Sequence, residues 1–479
     1  MISKLKSRWE SVPLQVKVST SYAVCSVLQK CLSFITLPLF TRLLTQEQYG
    51  QYTIYTSWSG MLSIVLTLNL AYGSFSTAMV KFEDRRDEYI SSVQGICLLL
   101  SAVFLVIYLP FSKMWNQLFE LPTPLILVMM LDILGSTAIL LWSGKKRFEY
   151  QYKSVVFQTL LYAVLAPCVA LILVLNTEEK GYARIAGYAA TTILIGGYLF
   201  ILNAYRGKKL FNREFWNYAF RFNLPLLAYY ASQTVFNQSD RIMISHMCGT
   251  DKAAVYGVAH NLALILTFVL NAINNSYVPW AYGKIKAGQG KDNQKIASGI
   301  AVLMSILLLA IIWFAPEIIL IMAGKQYLEA VWVVAPVAMS LLLLFYAQLF
   351  INVEFYYEEK KQLVFASIGA AVVNIILNYA LILQFGYVAA GYTTLFSYIV
   401  FAVSNCLAMK KILKARGLED SLYSYRQLIL IAIVFAAAGF LGVALYQFLL
   451  VRMLAAVAVL VVAVIYRKKL LAVFSKIRK

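Results

Sequence analysis

Residues Ile90–Phe111 read ISSVQGICLLLSAVFLVIYLPF, a run with no charged residue, set between Arg85-Arg86-Asp87-Glu88 and Lys113. Its length matches the roughly 20 apolar residues that an α-helix needs to cross the hydrocarbon core of a bilayer. The rest of the chain repeats the pattern. Apolar segments fall near 17–41, 50–75, 90–111, 122–143, 155–176, 183–204, 222–246, 254–279, 295–322, 329–353, 363–384, 387–408, 427–449 and 450–466, with little soluble sequence between them. Of the 479 residues, 61% are hydrophobic and 13% charged, against about 45–50% apolar and about 25% charged in a soluble domain. The surplus apolar surface must face lipid. The expected fold is all-α: a polytopic membrane protein with about 14 transmembrane helices.

The formal net charge of +20 raises nucleic acid as a partner, but its distribution excludes that class. Lys and Arg gather in alternate loops, at 81–86, 145–153, 206–221, 284–295, 360–361 and 410–426, and in both tails. The opposite loops hold Arg42, Lys113, Lys180, Arg184, Lys252, Lys325 and Arg452. This is the positive-inside asymmetry, and it predicts cytoplasmic N- and C-termini. The same basic side favours anionic headgroups. The N-terminus lacks the short apolar core and small-residue cleavage site of a signal peptide. Residues 1–15, with Trp9, read instead as an interfacial helix. Cys25, Cys31, Cys97, Cys168, Cys248 and Cys406 show no metal-ligand spacing and read as small packing residues. No metal or cofactor is expected.

The longest polar stretches, 205–221 and 409–426, divide the spans into six, six and two. The expected organisation is an N-terminal six-helix lobe at 1–210 and a C-terminal six-helix lobe at 211–415. An extra pair with a basic tail follows at 416–479. A faint internal repeat supports the two lobes. Pro38-Leu-Phe-Thr-Arg42 leads to Tyr49-Gly50, and Ser239-Asp240-Arg241 leads to Tyr256-Gly257. Six helices return the chain to its starting side, so lobes repeated this way are related by an axis along the membrane normal.

Ionisable groups at membrane depth are costly and usually face a cavity or a partner. Lys30 sits near the middle of the first span, too deep for easy snorkelling and with no acid within a turn. Asp132 sits mid-span and reads as the structural partner of a cation. Asp240 and Arg241 lie toward the outer end of the seventh span, and Glu354 near the inner end of the tenth. Arg42 and Glu354 are close enough to the interfaces to snorkel. His246 and His260 read as surface groups. On the seventh span Tyr229, Gln233, Asn237, Arg241 and Ser245 recur every four residues, roughly on one helical face. Other spans carry Ser26, Lys30 and Ser33; Asn271 and Asn275; Gln348 and Asn352; Ser367, Asn374 and Asn378. Such stripes serve either as interhelical hydrogen-bond glue or as the lining of a hydrated cavity between the lobes.

The segment Pro38-Leu-Phe-Thr-Arg-Leu-Leu-Thr-Gln-Glu-Gln-Tyr-Gly-Gln-Tyr52 resembles the opening of the Wzx-type polysaccharide or O-antigen flippases. Asn237-Gln-Ser-Asp-Arg-Ile-Met-Ile-Ser245 followed by Val255-Tyr256-Gly257 carries the same resemblance. These proteins belong to the multidrug, oligosaccharidyl-lipid and polysaccharide exporter superfamily. The resemblance implies two pseudo-symmetric lobes opening alternately to each side. It also implies transport of an undecaprenyl-diphosphate-linked oligosaccharide across the bacterial inner membrane, for lipopolysaccharide, capsule or exopolysaccharide synthesis, beside polymerase and export machinery. The extra C-terminal pair departs from the commonest twelve-helix count. A diphosphate prefers Lys or Arg, which Lys30, Arg42 and Arg241 supply. Sugars want amides, hydroxyls and aromatic faces, which Tyr229, Gln233, Asn237, Gln348, Asn352 and Asn374 supply. Asp132, Asp240 and Glu354 are the candidates for coupling to H⁺ or Na⁺. A monomer is expected.

Two other classes compete. A drug or cation antiporter of the same superfamily wants an acidic, aromatic cavity, which Asp132 and Asp240 keep open. A membrane glycosyltransferase or polysaccharide polymerase wants an acidic pair in the first outer loop, or a large outer loop. The first outer loop holds only Glu47, and the outer loops are short. No P-loop or Ser–His–Asp pattern is present, so an enzyme is not expected.

Overall fold

A computed structural model describes residues 14–418 and 422–454. The interfacial helix expected at 1–15, most of the span at 450–466 and the basic tail lie outside the described residues, as does the side chain of Lys30. Helices make up the regular structure among the described residues. In chain order they are α1 (Leu14–Leu43), α2 (Gln46–Thr67), α3 (Phe75–Lys81), α4 (Arg86–Tyr108), α5 (Ser112–Phe119) and α6 (Thr123–Phe148). Next come α7 (Tyr152–Leu175), α8 (Lys180–Gly207), α9 (Arg213–Cys248), α10 (Thr250–Leu264), α11 (Leu266–Lys286) and α12 (Gly290–Trp313). The last are α13 (Ala315–Met322), α14 (Val331–Tyr356), α15 (Lys360–Phe385), α16 (Val388–Ala415) and α17 (Tyr425–Ala444). Eleven helical stretches among the described residues are long and apolar enough to cross a membrane. Helices α2 and α9 are not counted among them, because Gln, Ser, Thr and charged residues dilute their apolar content.

Three expected boundaries move, each for a local reason. The helix expected at 50–75 begins at Gln46. There Thr45 accepts from the Gln48 amide (3.2 Å) while the Gln48 side chain accepts from the Thr45 amide (3.2 Å). This reciprocal cap satisfies two orphan donors of the first turn. The helix ends at Thr67, where Leu68 and Asn69 take positive φ, and a separate short helix α3 follows. The helix expected at 254–279 divides at Ile265 into α10 and α11. The one expected at 295–322 stops at Trp313. Pro316 has no N–H to continue the ladder, and it opens α13 instead.

The chain forms two compact units, Met1–Thr234 and Val235–Lys479, which divide within α9. In the first unit, Tyr55, Leu66, Tyr108, Ile126, Met129 and Ile185 form one buried cluster. Leu70, Met79, Tyr89, Ile96, Leu141 and Phe215 form another. Helices α6 and α8 approach at Gly135 and Gly196, where a side chain on Gly196 would run into the Gly135 backbone. Small residues at such contacts let membrane helices pack backbone to backbone.

In the second unit α14 is the central helix, buried along most of its length. The helix beyond the twelfth span packs on this unit. The indole of Trp313 donates to Ala438 O (3.0 Å), and Tyr346 donates to Leu428 O (2.9 Å). Arg452 grips both Glu317 oxygens (2.9 and 2.7 Å) and the Trp313 carbonyl (2.7 Å).

Substitution at Gly196 tests the close approach. Gly196→Leu should lower the thermal unfolding temperature in detergent by several degrees through overpacking. Gly197→Leu should leave it nearly unchanged, because an added Cβ there meets nothing within 4 Å.

Candidate functional site

Asp240 is the centre of the polar chemistry in the second unit. It is 3% exposed, and an isolated carboxylate in that position is prohibitively costly. Three other helices answer the cost. From α10 the Tyr256 hydroxyl donates to Oδ2. From α16 Thr394 Oγ1 donates to the same oxygen (2.6 Å), and from α15 Asn378 Nδ2 donates to Oδ1 (2.6 Å). A second ring of bonds fixes the donors. Asn374 Oδ1 accepts from Ser239 Oγ and from Asn378 Nδ2, both at 3.2 Å. Asn374 Nδ2 donates to Thr394 (3.3 Å), and Thr393 donates to Asn378 Oδ1. The carboxylate therefore ties α9, α10, α15 and α16 together. Chemically, a lone carboxylate ringed by hydroxyls and amides can exchange its donors for a proton or a small cation, because each of those groups also offers an oxygen lone pair.

Arg241, the next residue, is turned about a third of the way round the helix. It is 9% exposed and donates from Nη1 to Gln238 Oε1 (2.8 Å). Asn237 is exposed and lines a cavity with Phe236, Asp240, His260, Thr394 and Tyr398. Of the expected residues, the structure thus gathers Asn237, Asp240 and Asn374 in one neighbourhood, with Arg241 adjoining.

Other expected residues lie apart from this cluster. Tyr229 and Gln233 are half-buried and belong to the first unit. Arg42 is exposed at the end of α1. Asp132 takes a hydrogen bond from the Tyr55 hydroxyl (3.2 Å) where a cationic partner was expected. Glu354 does not reach an interface: it is 1% exposed on the central helix, and neither carboxylate oxygen is hydrogen-bonded among the described residues. Asn352 donates to Asn274 Oδ1 (3.0 Å), an interhelical bond of the glue type. His260 is not a surface group. It lies one turn beyond Tyr256, so it shares the face that meets Asp240. It is buried, stacked on Tyr256 with centroids 6.1 Å apart.

Sequence reasoning passed over Arg184. Its guanidinium carbon sits 3.7 Å from the Tyr52 ring centroid, 4.4 Å from Phe40 and 4.6 Å from Tyr49. It is 5% exposed, and Nε and Nη1 have no hydrogen-bond partner among the described residues. Aromatic faces attract a desolvated cation by about 2 kcal/mol or more in the best cases, and here they take the place of a carboxylate. The three rings come from the stretch Pro38–Tyr52. Its capped turn is tied to the start of α8 by Gln48 Nε2, which donates to Glu178 O (3.2 Å). The spacing Phe40, Tyr49, Tyr52 was the available signal; what it surrounds required the fold.

Eleven helical stretches among the described residues, long and apolar enough to cross a membrane and with polar groups buried between them, define a multi-pass membrane protein. The chain belongs to the polysaccharide biosynthesis protein family, whose model matches residues 16–282. An Lsg-locus protein of Haemophilus influenzae is 26% identical over 160 residues, 33% of this chain. The match spans 40% of that relative's length. In fold, the chain resembles the lipid II flippase MurJ in its inward closed conformation, with a TM-score of 0.68 and 14% identity over 93% of this chain and 99% of that one. It also resembles an inward-facing multidrug resistance MATE family transporter of the MOP superfamily, with a TM-score of 0.59 and 13% identity over 81% of this chain and 95% of that one. The fold is that of the MOP superfamily.

Substitutions at two positions probe these sites. Asn378→Leu removes one donor from a buried carboxylate and should cost roughly 1–3 kcal/mol of stability, read by thermal unfolding in detergent. Tyr52→Leu removes the ring nearest Arg184 and should cost roughly 1–2 kcal/mol, whereas Tyr52→Phe, which keeps the face, should cost much less in the same assay.

Proposed function

We propose that the protein flips undecaprenyl-diphosphate-linked oligosaccharide repeat units across the bacterial inner membrane by alternating access, for synthesis of a cell-surface polysaccharide. The observation that carries this reading is the pairing of a polysaccharide-biosynthesis family match with a fold shared along 99% of a lipid II flippase. The chemistry of α9 supports it. A buried cation, Arg241, donates to the Gln238 side chain, and amides and hydroxyls line the cavity beside Asp240; these are groups that a diphosphate and its sugars require. Lys30 and Arg42 are the further cations of the cargo site, and Tyr229, Gln233, Asn237 and Asn374 its sugar-facing groups. The charge asymmetry of the loops supports cytoplasmic termini. It also supports fourteen spans, arranged as two six-helix lobes, 1–210 and 211–415, and a terminal pair. Asp240 is the strongest coupling candidate, through a proton or Na⁺, with Asp132 and Glu354 as the alternatives.

The rival is a drug or cation antiporter of the same superfamily. The Asp240 cluster weighs against it. Both carboxylate oxygens are occupied by donors, and an arginine stands next to them, so a cationic drug meets no free negative charge there.

The test is reconstitution into proteoliposomes with a lipid-diphosphate-linked oligosaccharide, following protection of the sugar from an external glycosidase. Protein-dependent protection, reduced at least tenfold by Arg241→Ala or Lys30→Ala in protein that still folds, is the expected result. Unimpaired movement in a variant removes that residue from the site. Absence of movement, together with ion-driven efflux of a cationic dye, gives the antiporter reading instead.

A further inference from the structure

The cavity beside Asp240 has a volume of about 220 Å³, ample for a cluster of waters or for one pyranose ring. Its lining mixes polar side chains, Asn237, His260, Asn271 and Gln348, with aliphatic ones, Leu264, Val337, Leu341 and Leu344. Phe236 and Tyr398 add two aromatic rings, their centroids 4.6 Å apart. Two polar atoms on the lining residues, His260 Nδ1 and Gln348 Oε1, are buried without a hydrogen-bond partner among the described residues. Orphaned groups of this kind are costly unless something occupies the space.

The occupant must therefore offer both hydroxyls or amides and carbon surface to a mixed lining. A small cation held at Asp240 would leave most of the cavity unfilled and its aliphatic and aromatic lining uncovered. A water cluster would satisfy the polar groups but wet the four aliphatic side chains. A pyranose offers both, with C–H faces that pack on leucine and aromatic rings and a rim of hydroxyls that donate and accept. The geometry points to a single-sugar subsite within the second unit. One pyranose of the lipid-linked oligosaccharide packs against Phe236, Tyr398 and the aliphatic side chains. Its hydroxyls are held by His260 Nδ1 and Gln348 Oε1. Asn237 and Asn271 are exposed, so they stand where the glycosidic link leaves toward the neighbouring sugars. This assignment rests on the transport reading above and names the part of the cargo that this cavity reads.

Saturation-transfer NMR on the full chain in nanodiscs tests it. The probes are the methyl glycosides of a hexose, a 6-deoxyhexose and an N-acetylhexosamine. At least one should bind, and Gln348→Leu and His260→Phe should each weaken that binding at least fivefold with the unfolding temperature little changed. Leu344→Phe, which fills the cavity with a larger apolar side chain, gives the same readout if a polar variant fails to fold. Failure of all three glycosides to bind, or equal binding by wild type and variants, overturns the subsite. The sugar-protection assay separates the two ideas. Transport of the lipid-linked oligosaccharide without glycoside binding removes the subsite and keeps the flippase. Variant-sensitive glycoside binding without transport keeps a sugar site and removes the flippase.

Discussion

A carboxylate buried at membrane depth must find its hydrogen-bond donors inside the protein, and the second unit is organised around how Asp240 does so. Lipid offers no compensating partner. The cost is met by side chains from three other helices, and meeting it fixes those helices to one another. Tyr256, Asn378 and Thr394 each donate to the same group, so α10, α15 and α16 are placed relative to α9 by one charge. The cavity lies beside this knot, and its lining residues inherit the knot's order. A polar network with every member satisfied is rigid and specific, a suitable base for a binding surface.

The first unit solves the same difficulty with the opposite charge. Arg184 is a cation held by rings. The stretch that supplies Phe40, Tyr49 and Tyr52 also supplies the capped turn between α1 and α2. A single short segment therefore closes a helical hairpin and houses a buried guanidinium. The two Tyr-Gly pairs at the entries of α2 and α10 have diverged in use. Tyr49 gives its face to a cation, and Tyr256 gives its hydroxyl to an anion. The repeat is visible in sequence, while the chemistry at each copy is its own.

Much of the architecture was legible from hydropathy, because lipid imposes a length and a polarity that a linear sequence displays. Helix ends set by local chemistry were less legible. The Thr45–Gln48 cap extended α2 at its start, and Pro316 cut the twelfth helix from the thirteenth. At the site, Asp240, Asn237 and Asn374 were visible as polar groups in apolar runs. Tyr256 was visible only as half of a Tyr-Gly pair, His260 read as a surface group and Thr394 was not singled out, since such residues near a membrane surface have many uses and only packing reveals which one applies. Glu354 shows the converse: its position near a helix end suggested access to water, whereas α14 is the central helix of its unit and buries it. Period-four spacing grouped Tyr229 and Gln233 with Asn237, and all three lie on the continuous helix α9.

The measurement that tests the account most directly is made in the cell of origin: depletion of the protein, followed by assignment of lipid-diphosphate-linked repeat units to the inner or outer leaflet. The account predicts that they accumulate on the cytoplasmic leaflet while surface polysaccharide falls, and that both effects reverse when the wild-type chain is restored. Continued polysaccharide synthesis with no cytoplasmic accumulation would contradict it.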